Sequence, residues 1–308
     1  MKETNRVIRE REQLTYRLLE GETRHLTESY GTNLVWSHYP AKNKAKGTLV
    51  LIHGVASNGS RWEEFSETSI LHNDWDIIRL DLRGHAGSVS RRVATLEIWS
   101  NDLKAILDDA GLKKAVVIGH SLGAQVAMKF VTLYPEYLSG LVLLDPLVTQ
   151  ALTEKAVRLG RLRPMLLTAE KLGHWMNHLG FYRTLTAQNL REKDALARVM
   201  IAKGGKDFQA FIERYSSPKF DLKLIHTAQY ARDILETGRE TPNPDAFTFP
   251  TLVLGASNGT YTDANVVRQW VNDMPHGTFE IVHCAHWPLT ECPEEVGRVI
   301  NAWFDKNF

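Results

Sequence analysis

Two kinds of hydrophobic pattern alternate along the chain. Short apolar, β-branched runs at 48–52, 76–80, 115–118, 141–144, 251–254 and 278–282 read as buried strands. Apolar residues at helical spacing predict helices at 96–110, 124–131 and 293–304. This alternation predicts a mostly parallel sheet with helices on both faces, whose ligands bind beyond the carboxyl ends of the strands. Upstream, 25–30 and 33–38 flank Gly31 and read as a hairpin of edge strands. Residues 1–24 set Val7, Ile8, Leu14, Leu18 and Leu19 among charges, which predicts an amphipathic helical extension. From 147 to 245 the strand rhythm stops, and helical periodicity is broken at Gly160, Gly173, Gly180, Gly204 and Pro218. The expected division is therefore an extension at 1–24, an α/β core at 25–146 and 246–308, and a helical cap at 147–245 inserted over the strand ends.

A chain of 308 residues can bury a large core, as one α/β domain with an insertion or as two smaller domains. Its 37 basic residues balance 36 acidic ones, so there is no global electrostatic case for nucleic acid or an anionic membrane. A small molecule is the expected partner. The opening MKETNRVIREREQ has no apolar h-region, and no run approaches a membrane span. Two cysteines, Cys284 and Cys292, cannot build a disulfide framework, which points to a reducing cytoplasm. The N-terminal helix leaves a homodimer open. Without HExxH or CxxC spacing, G-x-G-x-x-G or a P-loop, neither a metal nor a cofactor is expected.

The stretch that changes this picture is Gly119, His120, Ser121, Leu122, Gly123, set between the strand at 115–118 and the helix at 124–131. A G-x-S-x-G in that context is a turn that lifts a serine hydroxyl off the sheet, with amides of the helix start aimed at what it attacks. The plainer alternative is an ordinary strand-to-helix loop whose glycines allow close packing. Cys284 lies near a histidine and is a second possible nucleophile, although no turn presents it.

With these pieces placed, the chain resembles the α/β-hydrolase superfamily over nearly its whole length. The resemblance rests on LVLIHG at 49–54, RLDLRGHAGS at 79–88, GHSLG at 119–123, LVLLDP at 141–146, PTLVLG at 250–255 and AHWPLTECPEEV at 285–296. It implies an α/β-hydrolase fold with a helical cap, Ser121 as nucleophile and His286 as base, with His283 as the fallback. It also implies an oxyanion hole from the backbone amides of Val55 and Leu122. His53, Gly54, His120 and Trp287 are placed beside the substrate, and Asp81 and His85 in a structural turn.

One position departs from the family pattern. The usual triad acid follows the strand at 251–254, where Asn258 stands here. In some branches the acid instead follows the strand after the nucleophile, which makes Asp145 the leading candidate. Asp263 is the second, although after Thr262 it reads better as a helix-start residue. The third possibility is no acid at all, in a weak hydrolase or a ligand-binding receptor.

Ser121 argues against the dehalogenase and epoxide hydrolase branches, which use an aspartate there. The expected activity is cleavage of a carboxylic ester of a small or medium, largely apolar substrate through an acyl-serine. Lactone and carbon–carbon bond hydrolysis are alternatives on the same machinery. Trp175, Met176, Phe181, Tyr182, Met200 and Phe208 are candidates for an apolar pocket or for cap core. Arg158, Arg161 and Arg163 read as a solvated helix face.

Overall fold

The computed structural model describes residues 5–181, 183, 185 and 188–308. One eight-stranded sheet organises it, with strand order β1-β2-β4-β3-β5-β6-β7-β8. β1 (Thr23–Ser29) and β2 (Thr32–Tyr39) are antiparallel to each other, and β2 is antiparallel to β4 (Trp75–Leu80). β3 (Gly47–Ile52), β5 (Ala115–His120), β6 (Leu138–Leu144), β7 (Thr251–Ala256) and β8 (Gly277–Val282) continue the sheet in parallel from β4. The hairpin turns at Tyr30 and Gly31, both at positive φ, the backbone that a two-residue connection of twisted strands requires. Only β1 of this hairpin is an edge. β2 lies between β1 and β4, which is why Leu34, Val35, Trp36 and Ser37 are all buried in succession.

The remaining helices, in chain order, are α1 (Asn5–Leu14), α2 (Glu63–Thr68), α3 (Leu96–Asp109), α4 (Leu122–Leu133), α5 (Glu154–Gly160), α6 (Arg163–His178), α7 (Leu190–Lys203), α8 (Gly205–Tyr215), α9 (Pro218–Asp221), α10 (Thr227–Thr237), α11 (Ala264–Asn272), α12 (Pro288–Glu291) and α13 (Pro293–Asn307). Two apolar layers cover the sheet. One contains α3, α4 and α11 residues such as Trp99, Phe130 and Trp270, and the other contains Trp62, Trp75, Trp303 and Phe304. Helices α5 to α10 all fall between β6 and β7.

The extension expected to be helical to residue 24 is helical only to Leu14. Beyond it, Tyr16 and Glu22 are drawn into the core by Arg79, a fully buried cation on β4. Glu22 accepts from Arg79 Nε at 2.8 Å and pairs with Nη2, and the Tyr16 ring lies 5.3 Å from the guanidinium. A charge buried on both faces of a sheet requires such a partner, and supplying it costs the segment its helix. α1 itself is tied down where Glu10 meets Arg91 and His226, the residue preceding α10.

Candidate active site

Three strand ends converge at the carboxyl edge of the sheet. β5 ends at His120, and Ser121 follows at φ 52° and ψ −113° before α4 begins at Leu122. The glycines make that turn possible. A Cβ on Gly119 would lie 2.4 Å from the Gly123 carbonyl oxygen, and one on Gly123 would lie 2.4 Å from that of Ile52. Ser121 N–H donates to Leu144 O on β6 at 3.1 Å, fixing the elbow to its neighbour. Leu122 is the first residue of α4, where backbone N–H groups lack helical partners. Across from it, Gly54 and Val55 follow β3, and a Cβ on Gly54 would come within 3.4 Å of Ser121 Cβ. The tightest neighbour of such a Cβ is His120 Nδ1 at 3.2 Å, so a side chain at Gly54 is crowded by the histidine beside Ser121.

β6 ends at Leu144, and Asp145 follows at φ 43°. Its N–H donates to Leu254 O at 2.8 Å, and its Oδ1 accepts weakly from Ala256 N–H at 3.4 Å. The free oxygen, Oδ2, is 2.5 Å from His286 Nδ1. His286 Nε2 is in turn 3.2 Å from Ser121 Oγ. All three side chains are buried. The carboxylate, imidazole and hydroxyl thus form one hydrogen-bonded line, with Nδ1–H donating to Asp145 and Nε2 left to face the serine proton.

The competing candidates lie elsewhere. Asn258 is exposed after β7, its N–H donating to Cys284 O at 3.0 Å. Asp263 caps α11, accepting from the N–H of Asn265 and Val266 at 2.8 and 3.3 Å. His283 points outward and pairs with Glu295 at 2.8 Å, so the fallback base is a surface residue. The Cys284 thiol is buried, and contact with Cys292 followed by burial pushes its ionisation far up, the reverse of an activated nucleophile.

The histidines flanking the serine brace the site. His53 is fully buried, with Nδ1–H donating to Gly54 O at 2.8 Å and Nε2 accepting from Leu82 N–H at 3.1 Å. Both ring nitrogens are thereby occupied by main chain, so the expected substrate contact by this side chain gives way to a structural tie. Burial, then His85, holds His53 well below the usual imidazole range. His120 donates from Nε2 to His286 O at 2.9 Å, and burial followed by His286 lowers it to about 3. Both rings are neutral at ordinary pH. Asp81 accepts from Gly59 and Gly87 N–H at 2.9 and 3.0 Å, and burial raises it to about 6. His85 faces Asp233 of α10 at 3.0 Å.

Several residues at the site were given no role from sequence. Glu291 accepts from the N–H groups of Ala285, His286 and Trp287 at 2.9, 3.2 and 2.9 Å, holding the histidine loop from below. Tyr261 meets the His286 ring edge-on at 4.8 Å. From the inserted helices, Phe211 and Tyr215 meet Trp287 at 5.5 and 5.6 Å. Asp194 of α7 pairs with Arg61 and accepts from Thr290 Oγ1 and Tyr215 Oη at 3.0 Å each. The expected pocket residues are placed differently: Trp175, Met176 and Phe181 are exposed, Met200 and Phe208 are half-buried, and Tyr182 lies outside the described residues. Arg158, Arg161 and Arg163 are solvated, as expected.

Among the described residues, no group of three or more His, Cys, Asp or Glu is arranged to hold a metal ion, and no helix is long and apolar enough to cross a membrane.

Comparison with known proteins agrees with this architecture. A protein of Haemophilus influenzae provisionally named as an esterase/lipase is 25% identical over 264 residues, covering 84% of this chain and 83% of its own. The sn-1-specific diacylglycerol lipase of Danio rerio is 23% identical, with 85% and 79% covered. A 2-hydroxy-6-oxononadienedioate/2-hydroxy-6-oxononatrienedioate hydrolase of Paraburkholderia phymatum is 22% identical, with 85% and 88% covered. Among solved structures, a thermophilic esterase from Thermogutta terrifontis superposes with a TM-score of 0.63 at 22% identity, covering 92% of this chain and 98% of its own. The family profile described as alpha/beta hydrolase fold matches residues 47–293, a span that runs from β3 through the histidine loop, and the chain belongs to that family.

Proposed function

We propose that the protein is a serine hydrolase that cleaves a carboxylic ester of a small or medium, largely apolar substrate. The observation that carries this reading is the unbroken line from Asp145 through His286 to Ser121, at 2.5 and 3.2 Å. As Ser121 Oγ adds to the ester carbonyl, His286 Nε2 takes its proton, and Asp145 balances the imidazolium that forms. The N–H groups of Leu122 and Val55 receive the oxyanion. Collapse expels the alcohol, which leaves with the proton from His286. Water then attacks the acyl-serine by the same route and releases the acid. Helices α5 to α10 act as the cap, and Tyr215 and Trp287 supply an apolar wall for the substrate with the fully buried Phe211 packed behind them.

Relatives named as esterase/lipase and diacylglycerol lipase support an ester as the bond broken. A second reading, hydrolysis of an activated carbon–carbon bond, draws on the relative from Paraburkholderia phymatum. The receptor reading drew on Asn258 alone, and the carboxylate at Asp145 weighs against it.

Hydrolysis of a p-nitrophenyl ester series by the wild type, Ser121→Ala and Asp145→Asn tests the proposal. Turnover by the wild type with collapse in both variants is expected. A wild type as inactive as Ser121→Ala across the series contradicts the ester reading, and carbon–carbon substrates then become the next assay.

A further inference from the structure

Helix α6 is apolar on two opposite faces, and only one of them is used inside the protein. Its inner face packs on α10, where Gly173 comes so close to Ala228 that a Cβ there would lie 3.2 Å away. On the same face Glu170 is buried and pairs with Arg232 at 2.6 Å. The outer face carries Met165, Leu172, Trp175, Met176 and Leu179, followed by Phe181, all between 42% and 64% exposed. At about 100° per residue, the four positions within α6 and the capping Leu179 fall within an arc of roughly 100° that also holds Thr168; Glu170 and Arg163 lie on the opposite side and Gly173 between the two. The stripe is held firmly. Phe181 N–H donates to Met176 O at 3.0 Å and Gly180 N–H to Asn177 O at 3.1 Å, with Gly180 at φ 86°, which together make a Schellman cap. Soluble proteins seldom leave so continuous an apolar stripe without a partner.

The charge around the stripe says which partner fits. Residues 154–181 carry Lys155, Arg158, Arg161, Arg163 and Lys171 against only Glu154 and Glu170. Glu170 is turned inward to Arg232, and Glu154 pairs with Arg158 at 3.0 Å. Arg161, Arg163 and Lys171 are exposed, with no acidic partner among the described residues. The balanced total of the chain thus conceals a local positive excess beside an exposed apolar helix face. An apolar partner alone leaves the basic rim unused. A second copy paired about a two-fold axis at Leu172 sets Lys171 against its own equivalent.

We propose that the outer face of α6 docks the protein on an anionic phospholipid surface. The aliphatic side chains and the indole enter the headgroup–acyl boundary, and Lys171 on the flank of the stripe and Arg161 just before the helix meet lipid phosphates. The orientation is informative. Lys155 of α5 lies 5.4 Å from the Tyr261 ring, and Tyr261 meets His286 at 4.8 Å. The helix preceding the docking face therefore reaches the ring that packs on His286. The docking does not rest on the hydrolase reading, because binding is measured without turnover.

Co-sedimentation of the full chain with vesicles of phosphatidylcholine, alone or with about 30 mol% phosphatidylglycerol, tests it. The wild type is expected to partition at least about tenfold more strongly onto the anionic vesicles, and to be released by about 0.5 M salt. Leu172→Glu with Met176→Glu should abolish binding, and Arg161→Glu with Lys171→Glu should weaken it at least about tenfold, with unchanged thermal melts. Wild type that stays in the supernatant with both vesicle types, or Leu172→Glu with Met176→Glu binding as wild type does, overturns the proposal. So does a wild-type dimer that this same pair of substitutions dissociates, if neither form binds vesicles.

Discussion

The sheet and the helices inserted after β6 are both rich in apolar residues, yet they use them in opposite ways. Leu49–Ile52, Val116–Ile118, Leu141–Leu144 and Leu252–Leu254 are wholly buried, covered on both faces of the sheet. On α6 four of the seven apolar residues, Met165, Leu172, Trp175 and Met176, are exposed. The consequence is a difference in what holds each region. Dense packing around the strand ends keeps Ser121 and Asp145 in positive-φ conformations that a looser setting would relax. The inserted helices meet the core through many separate polar contacts, among them the buried pair of Arg61 with Asp194 and the bonds from Ala94 N–H to Gln229 and from Leu96 N–H to Glu236. Chemistry should therefore depend on the strand ends, docking of the helices on such contacts, and neither on the residue that departs from the family pattern.

The largest effect is expected at a strand end. Asp145→Asn should lower kcat at least about 100-fold in a steady-state ester assay while leaving the thermal midpoint close to wild type. A kcat within a few-fold of wild type separates Asp145 from the chemistry. Next comes the helical contact. Asp194→Ala strands the Arg61 guanidinium in a site where Arg61 and Asp194 side chains are only 10% and 3% exposed, and should cost about 3 kcal/mol in urea unfolding. The paired change Arg61→Met with Asp194→Leu should cost less, because no charge is left alone. Equal losses in the two proteins count against a buried, coupled pair.

A smaller effect concerns pH. His120 has its folded-state value lowered to about 3 by burial, so the unfolded chain takes up the proton first as pH falls. Its contribution to stability is intact above about 6.5 and is lost progressively from there down towards 3. His53 acts in the same direction. His120→Gln should consequently make the fall in melting temperature between about pH 7 and pH 4 shallower without removing it. An identical slope in the variant places the acid sensitivity elsewhere. The smallest effect is expected at Asn258, whose side chain lies on the surface: Asn258→Ala should leave kcat within about twofold of wild type. A large loss there assigns this position a part in the reaction.

The parallel strands, the elbow and the order of the motifs were legible because burial on both faces writes itself as unbroken β-branched runs, and the close approaches at Gly119 and Gly123 admit only glycine. Asp145 was a candidate because some branches of the resembled family carry the acid after the strand that follows the nucleophile, and it stands beside His286 whereas Asn258 and Asp263 stand in exposed loops. The end of α1 was hidden because its cause, Arg79, is distant in sequence and reads as an ordinary polar residue within a strand. The role assigned to His53 failed for want of the same information, since only the fold brings Leu82 N–H to its ring. Among the inserted helices, periodicity separated apolar from polar positions but gave no indication which apolar face turns inward. Phe211 and Tyr215 reach Trp287, while Trp175 and Met176 face outward, and all four have the same composition signal. Glu291 was visible within the histidine motif, but its three backbone partners were not.

The central claim is that Ser121 is an activated nucleophile because Asp145 and His286 are aligned behind it. Labelling with a serine-directed fluorophosphonate, followed by peptide mass spectrometry of the wild type and Asp145→Asn, tests it most directly. The account predicts stoichiometric modification of the peptide containing Ser121 in the wild type, and labelling at least about 100-fold slower in the variant. An unlabelled Ser121 in the wild type, or equal rates in the two proteins, contradicts it.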